Sequence, residues 1–381
     1  MDVREQITGI TSGRLQDVVR AALGEPGATL STWDAVPLMG GVGANDASRS
    51  LFVVRGMAYV GPTERQWSMI LKGFAPAAER DDPADIFYWK REWLLYTSGL
   101  LGGLPGGLRA PHCYGCDELA GGTLRLWLEH VWEDGERIWP LARWALTARQ
   151  LGRFNGAYVT EGGLPRTSWL RGGRLRSWVE HHGPQVAWIK AAPHNQNVRH
   201  WWPRPVVEAI LRLWDERDGF CAALERLPQT FCHGDAIRRN LLAARGADGA
   251  EETVCIDWEH AGHYAIGEEV GQTVSVAAAF FDVEPADLPA LDEALFVAYL
   301  TGLQEVGWRG NPRQVRFAYA AHAALRNAFN AVGATVPDPS RHVQIQQNYG
   351  HTWEELAERR AEVRPFLLAR ADEARRLLER L

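Results

Sequence analysis

The sequence predicts an α+β fold with a small β-rich amino-terminal part and a larger, mainly helical remainder. Three apolar runs of strand character stand close together before residue 75, and from about residue 83 onward apolar residues recur mostly at helical spacing. At 381 residues the chain is long enough for two domains with a sizeable core, and it shows neither an internal repeat nor a low-complexity linker.

The first strand is predicted over Thr32 to Leu38, the second over Leu51 to Val60, where apolar and other residues alternate, and the third over Gln66 to Phe74. Between the first two lies the glycine-rich turn Met39-Gly40-Gly41-Val42-Gly43-Ala44-Asn45. Glycines let a backbone approach phosphate oxygens, and Asn45, Ser48 and Ser50 add side-chain donors, so Gly41, Gly43 and Ser48 are candidate phosphate contacts. The turn matches neither the Walker pattern nor a clean Gly-x-Gly-x-x-Gly, and taken alone it also reads as an ordinary hairpin turn. Pro83-Ala84-Asp85 then opens a predicted helix whose apolar stripe is Ile86, Trp89, Trp93, Tyr96 and Leu100. Lys72, near the end of the third strand, can reach nucleotide phosphates if a carboxylate aims it. Glu92, flanking the stripe, is the preferred partner, with Asp85 and Glu118 as alternatives.

The densest chemistry lies further on, in Phe231-Cys232-His233-Gly234-Asp235-Ala236-Ile237-Arg238-Arg239-Asn240 and Val254-Cys255-Ile256-Asp257-Trp258-Glu259. Phe231-Cys232 ends one short strand and Leu241-Leu242-Ala243 forms the next, so the polar residues occupy a loop between them. Asp235 can accept the proton of an attacking hydroxyl. Asn240 offers an amide oxygen to Mg²⁺, and Asp257, after the apolar run Thr253 to Ile256, offers a second ligand. These are the parts that phosphoryl transfer needs. His233 is expected to hold the loop by hydrogen bonds.

His-Gly-Asp-x4-Asn followed by Ile-Asp-Trp-Glu resembles the Brenner motif and metal-binding Asp of the aminoglycoside phosphotransferase/choline kinase family. That resemblance implies a two-lobed protein-kinase-like fold: an amino-terminal antiparallel β lobe (1–128), a hinge (129–133) and a mainly helical carboxy-terminal lobe (134–381) with a tryptophan-rich helical insertion at about 160–215. It implies Asp235 as catalytic base, Asn240 and Asp257 as Mg²⁺ ligands, the Lys72–Glu92 pair as phosphate clamp, and ATP or GTP as co-substrate. Leu124 to Val131 matches the strand that leads into the hinge, where backbone groups of Glu129 and Val131 read the base. Trp144, Leu146, Leu151, Phe154 and Tyr158 form a helical face, and Leu151-Gly152-Arg153-Phe154-Asn155-Gly156 resembles the family's Leu-Gly-x-Leu-His-Gly helix end, with Asn155 in place of His.

Relatives with these motifs phosphorylate antibiotics, choline, amino alcohols and sugars, and a shared fold does not choose among acceptors. Candidates for acceptor contact are Glu259, His260 and His263, then Glu268, Glu269, Asp282 and Glu284, whose acidity suits a polyamine. Of 17 Trp, six (Trp169, Trp178, Trp188, Trp201, Trp202 and Trp214) precede the catalytic loop. Trp201 and Trp202 either stack on an acceptor or fill a helical core. An antibiotic or related natural product is the favoured acceptor, implying a resistance role. A primary metabolite is the alternative, and a catalytically silent binding protein is a second one.

Composition adds exclusions. A formal charge of −6 and no basic stripe argue against nucleic acid, and no apolar stretch approaches a membrane span. The start Met1-Asp2-Val3-Arg4-Glu5 lacks an apolar signal segment, so the cytoplasm is expected. A lone Cys-x-x-Cys, Cys113 and Cys116, has no second pair at zinc-ribbon spacing, and the charge-rich Glu354 to Leu381 reads as a helix with a solvated face.

Overall fold

A computed structural model of the chain describes residues 9–38, 49–135, 138–160, 163–246, 248–337 and 339–381. Strands β1 (Thr29–Pro37), β2 (Arg49–Val60) and β3 (Thr63–Phe74) lie within a residue or three of the predicted runs. With β5 (Cys113–Glu118) and β6 (Leu124–Glu129) they form an antiparallel sheet of order β1-β2-β3-β6-β5. Strand periodicity sorts its side chains. Trp67, Met69 and Leu71 join Leu15, Val18 and Val19 of helix α1 (Ser12–Leu23) on one face, while Ile70 and Phe74 pack with Leu126 and Leu128 on the other. Lys72 shares that second face.

The helix expected from residue 83 is shorter than its apolar stripe: α2 covers only Arg91–Thr97. Ahead of it the backbone is committed elsewhere. The Asp85 carboxylate caps Phe87 N at 2.6 Å, and the Arg91 guanidinium draws in the carbonyls of Asp85 (2.7 Å) and Ile86 (3.1 Å), acceptors a longer helix would have used internally. Helix α2 straddles the two lobes. Trp93 and Tyr96 face the sheet, whereas Leu95, with Leu101, Leu104 and Leu108 beyond it, enters the core of the helical lobe.

That lobe contains α3 (Leu141–Thr160), α4 (Arg174–His181), α5 (Gly183–Ala191), α6 (Arg204–Arg226), α7 (Glu268–Ala279), α8 (Leu288–Glu305), α9 (Pro312–Ala328), α10 (Pro339–Tyr349) and α11 (Trp353–Leu378). Two small β elements sit at its top. In one, β4 (Leu108–Arg109), β8 (Leu241–Arg245) and β9 (Glu251–Cys255) pair in the order β4-β9-β8; in the other, β7 (Gln229–Cys232) pairs with β10 (Gly262–Ala265). Helices α3 and α8 pack unusually close through Gly152 and Gly302. A Cβ on Gly152 would overlap the Tyr299 carbonyl, and one on Gly302 that of Arg149. The closeness delivers the Tyr299 hydroxyl to Asn155 Oδ1 at 2.8 Å.

The tryptophan-rich stretch is helical, and Trp201 and Trp202 are core residues. Trp202 is 0% exposed beneath the Arg364 guanidinium, 3.5 Å from its ring centre; Trp201 packs edge-on to Trp353 and donates from Nε1 to Glu358 at 2.8 Å. Both rings are occupied by packing. We expect Trp202→Ala to lose about 3–5 kcal/mol of stability through the cavity it opens, whereas Trp188→Ala, at a ring 47% exposed, should stay within about 0.5 kcal/mol. Denaturant unfolding of both variants checks this, and equal losses would contradict it.

Candidate active site

Strand β7 ends at Cys232, and its antiparallel partner β10 begins at Gly262, opposite Cys232, so the intervening chain returns directly beneath the loop. Gly234 has φ +76°, and an added Cβ would collide with the His260 carbonyl. Glycine is therefore required on two counts. Buried His233 bridges the loop to Ile256: Nε2 donates to the Ile256 carbonyl at 2.9 Å, and Nδ1 accepts from Asp235 N at 3.2 Å. Burial lowers its pKa to about 4, which keeps the ring neutral with one nitrogen free to accept. The sequence expectation that His233 holds the loop describes this geometry.

Asp235 is 9% exposed. Its Oδ2 accepts from Asn240 Nδ2 at 2.9 Å and its Oδ1 from Gln272 Nε2 at 2.6 Å. Three residues one turn apart on α7 grip the loop from below. Glu269 Oε1 accepts from Gly234 N at 3.0 Å, Gln272 meets the Asp235 carboxylate, and Thr273 donates to the Ala236 carbonyl at 2.7 Å. Asn155 completes the support by donating to the Phe231 carbonyl (3.0 Å) and Glu269 Oε2 (2.9 Å). Gln272 is a site residue that sequence reasoning missed. A signal existed, because Glu269, Gln272 and Thr273 form a polar i, i+3, i+4 stripe on a helix whose other residues are mostly apolar.

Pairing of Leu241 with Cys255 brings Asn240 and Asp257 to the same end of β8 and β9, and Ile256 N donates to the Asn240 carbonyl at 2.9 Å. Asp257 takes the left-handed conformation (φ 64°, ψ 64°), uncommon for a residue with a Cβ. Its Oδ1 contacts Lys72 Nζ at 2.6 Å, and Glu92 Oε2 contacts the same Nζ at 2.5 Å. Glu92, rather than Asp85 or Glu118, is thus the helix carboxylate at the lysine. Burial acts against both charges, yet Lys72 is held above its ordinary pKa by Asp257 and Glu92, and Asp257 below its own by Lys72. Among the described residues no cluster of three or more His, Cys, Asp or Glu could hold a metal. Asn240 and Asp257 instead provide one amide and one carboxylate oxygen, a set that suits Mg²⁺, which completes its shell with phosphate and water.

Gly41, Gly43 and Ser48, proposed as phosphate contacts, lie outside the described residues. The Glu129 carboxylate is bound by Arg109 (2.5 and 3.0 Å) and by His112 N (3.1 Å), Glu129 N donates to the His112 carbonyl at 2.8 Å, and Val131 follows at the crossing to α3. Glu259 is ion-paired with Arg49, and His260 faces Glu259 at 3.0 Å. His263 Nε2 bonds the Pro165 carbonyl at 3.0 Å. Glu268 is buried against His322 at 3.0 Å, and Glu284 pairs with Arg359 at 3.1 Å. Arg238 is tied to Glu133 at 3.0 Å and covers Trp139. Cys113 and Cys116 are free thiols with sulfurs 3.4 Å apart.

A sheet carrying a lysine, a helix carboxylate against it, and a loop with an Asp and an Asn beneath define a two-lobed protein-kinase-like fold. Residues 62–310 match the model of a family described as "Phosphotransferase enzyme family", and the chain belongs to that family. Among solved structures it is similar to the amicoumacin kinase hAmiN in complex with AMP-PNP, Ca²⁺ and Ami (14% identity, 95% of this chain and 96% of that one, TM-score 0.52). It is also similar to choline kinase from Cryptosporidium parvum Iowa II (12% identity, 93% and 94% covered, TM-score 0.51). No curated protein matches the chain.

Burial raises the Glu269 carboxyl to about 7, against the opposing bonds from Asn155 and Gly234. A folded pKa above the ordinary 4.5 stabilises most below that value, and the stabilisation is lost as pH rises through about 7. The melting temperature of the native chain should therefore fall relative to that of Glu269→Gln between roughly pH 5 and pH 7.5. A difference between the two proteins that stays flat across this range would contradict the assignment.

Proposed function

We propose that the protein transfers the γ-phosphoryl group of ATP or GTP to a hydroxyl of a small, natural-product-like molecule. What supports this most is the convergence at one cleft of Lys72, Glu92 and Asp257 with Asp235 and Asn240. Nucleotide and small-molecule acceptors bound to similar structures, AMP-PNP and Ami among them, agree with it.

Lys72, aimed by Glu92, binds the α- and β-phosphates. Asn240 and Asp257 would hold Mg²⁺, which when bound would neutralise phosphate charge. Backbone groups at Glu129 and Val131 meet the base, and the loop with Gly41, Gly43 and Ser48 covers the phosphates. Asp235 orients the acceptor hydroxyl and takes its proton as the new O–P bond forms and the bond from the γ-phosphorus to the bridging oxygen breaks, releasing the nucleoside diphosphate. Gln272 and Asn240 fix both carboxylate oxygens, so the base is preorganised before the acceptor arrives.

Incubation with Mg²⁺ and labelled ATP or GTP against a broad panel of alcohols and antibiotics tests the activity. With an acceptor in hand, Asp235→Asn should lower kcat by about 10²-fold or more with little change in nucleotide affinity; near-normal turnover would remove the base from Asp235.

The metal and clamp roles separate by titration. High Mg²⁺ should partly rescue Asn240→Ala, a weakened metal site, and should not rescue Lys72→Ala, which lacks a phosphate contact. Identical Mg²⁺ responses would mean the roles are misassigned.

A further inference from the structure

Asp235 has two sides. Oδ2 meets Asn240, on the side of Lys72 and Asp257, while Oδ1 meets Gln272 and looks toward α9, where Arg326 Nη2 stands 3.8 Å away. The Arg326 guanidinium lies 3.5 Å from the centre of the Trp178 ring, and that ring is locked by Nε1 donating to the Arg326 carbonyl at 2.9 Å. Its side chain is 12% exposed, and among the described residues Asp235 is its only charged partner. Among the described residues no hydrogen bond runs from the guanidinium to the protein, so its N–H groups, beside Asp235 and still reached by solvent, are open to acceptors from a ligand.

More cationic charge surrounds this point. Arg360, 4% exposed, and Arg239, which is exposed, both lie over the Phe280 ring at 4.7 and 5.1 Å. Arg360 donates to Asn327 Oδ1, at the residue after Arg326, at 3.3 Å, and among the described residues neither arginine has a carboxylate within salt-bridge range. Burial lowers the Arg326 pKa to about 9, with Arg174, Arg239 and Arg360 adding to the effect and Asp235 opposing it. It stays protonated at neutral pH. The carboxylates that a polyamine would need are committed elsewhere: Glu259 to Arg49, Glu268 to His322, Glu269 to the loop, and Glu284 to Arg359.

We infer that the acceptor is an anion: a hydroxyl compound whose carboxylate, phosphate or sulfate group is gripped by Arg326 against Trp178, with Arg239 and Arg360 supplying the surrounding field, while its hydroxyl meets Asp235. The inference rests on the phosphotransferase reading and narrows its acceptor. Planar guanidinium groups bind such oxyanions in a paired, directional way, and a cationic acceptor would meet repulsion at the same place.

The test is thermal melting of the full chain with Mg²⁺ and saturating AMP-PNP or GMP-PNP, so that the γ-phosphate position is filled. Sulfate, succinate and spermidine are titrated separately at fixed ionic strength set with chloride. Sulfate or succinate should raise the melting temperature saturably, and whichever is stronger identifies the oxyanion as tetrahedral or carboxylate; spermidine should not. Arg326→Gln should weaken the anion by about tenfold and the exposed Arg239→Gln by about threefold, so a folding defect in the first variant leaves the second to decide. Stabilisation by spermidine alone, no anion effect in the nucleotide-bound chain, or undiminished anion binding in Arg239→Gln together with any folded Arg326→Gln would overturn the inference. If neither nucleotide analogue shifts the melting temperature, the phosphotransferase reading falls and the inference falls with it.

Discussion

Lys72 stands between two carboxylates that come from different parts of the chain, Glu92 on α2 and Asp257 after β9. The ammonium group ties the small sheet, the helix that straddles the lobes and the top of the helical lobe to one point. Removing Lys72 would leave the Glu92 and Asp257 carboxylates facing the same point without a counter-charge. The spacing between the sheet and the loop that carries Asp235 is therefore an electrostatic constraint. Trp258, fully buried and donating from Nε1 to the Cys255 carbonyl at 2.6 Å, sets the chain direction just after Asp257 and packs its ring on His233.

Beneath the loop, the supports are almost all neutral or single-charge contacts made to backbone. Arg174 donates to the Gly234 carbonyl at 2.7 Å, Thr273 to that of Ala236, and Asn155 to that of Phe231. Such contacts fix the position of the loop through its backbone, and Gln272 is a neutral partner for the Asp235 carboxylate itself. Helix packing and chemistry are coupled here, because the close approach of α3 and α8 at Gly152 and Gly302 seats Tyr299 on Asn155, which in turn holds Glu269 and the loop.

Much of this was legible in the sequence because it is local. The loop between β7 and β8 carries Asp235 and Asn240 within six residues, and the apolar run before Asp257 marks β9, so strand pairing alone brings them together. Lys72 was legible from its place on a strand, and Glu92 from a helical stripe, even though the helix is half the length that the stripe suggests. Arg326 and its place on Trp178 were not legible: the two residues come from helices well apart in the chain and meet only through tertiary packing, and a lone arginine in an amphipathic helix looks like any solvated charge. The pair Trp201 and Trp202 shows the reverse difficulty, since a sequence does not distinguish a ring that stacks on a ligand from one covered by Arg364.

The left-handed backbone at Asp257 sets stability and chemistry against each other. A β-carbon in that region costs on the order of 1–2 kcal/mol, a strain that glycine would relieve. Glycine at this position would release the strain and delete the carboxylate that meets Lys72, so backbone ease and the link between sheet and loop pull residue 257 in opposite directions.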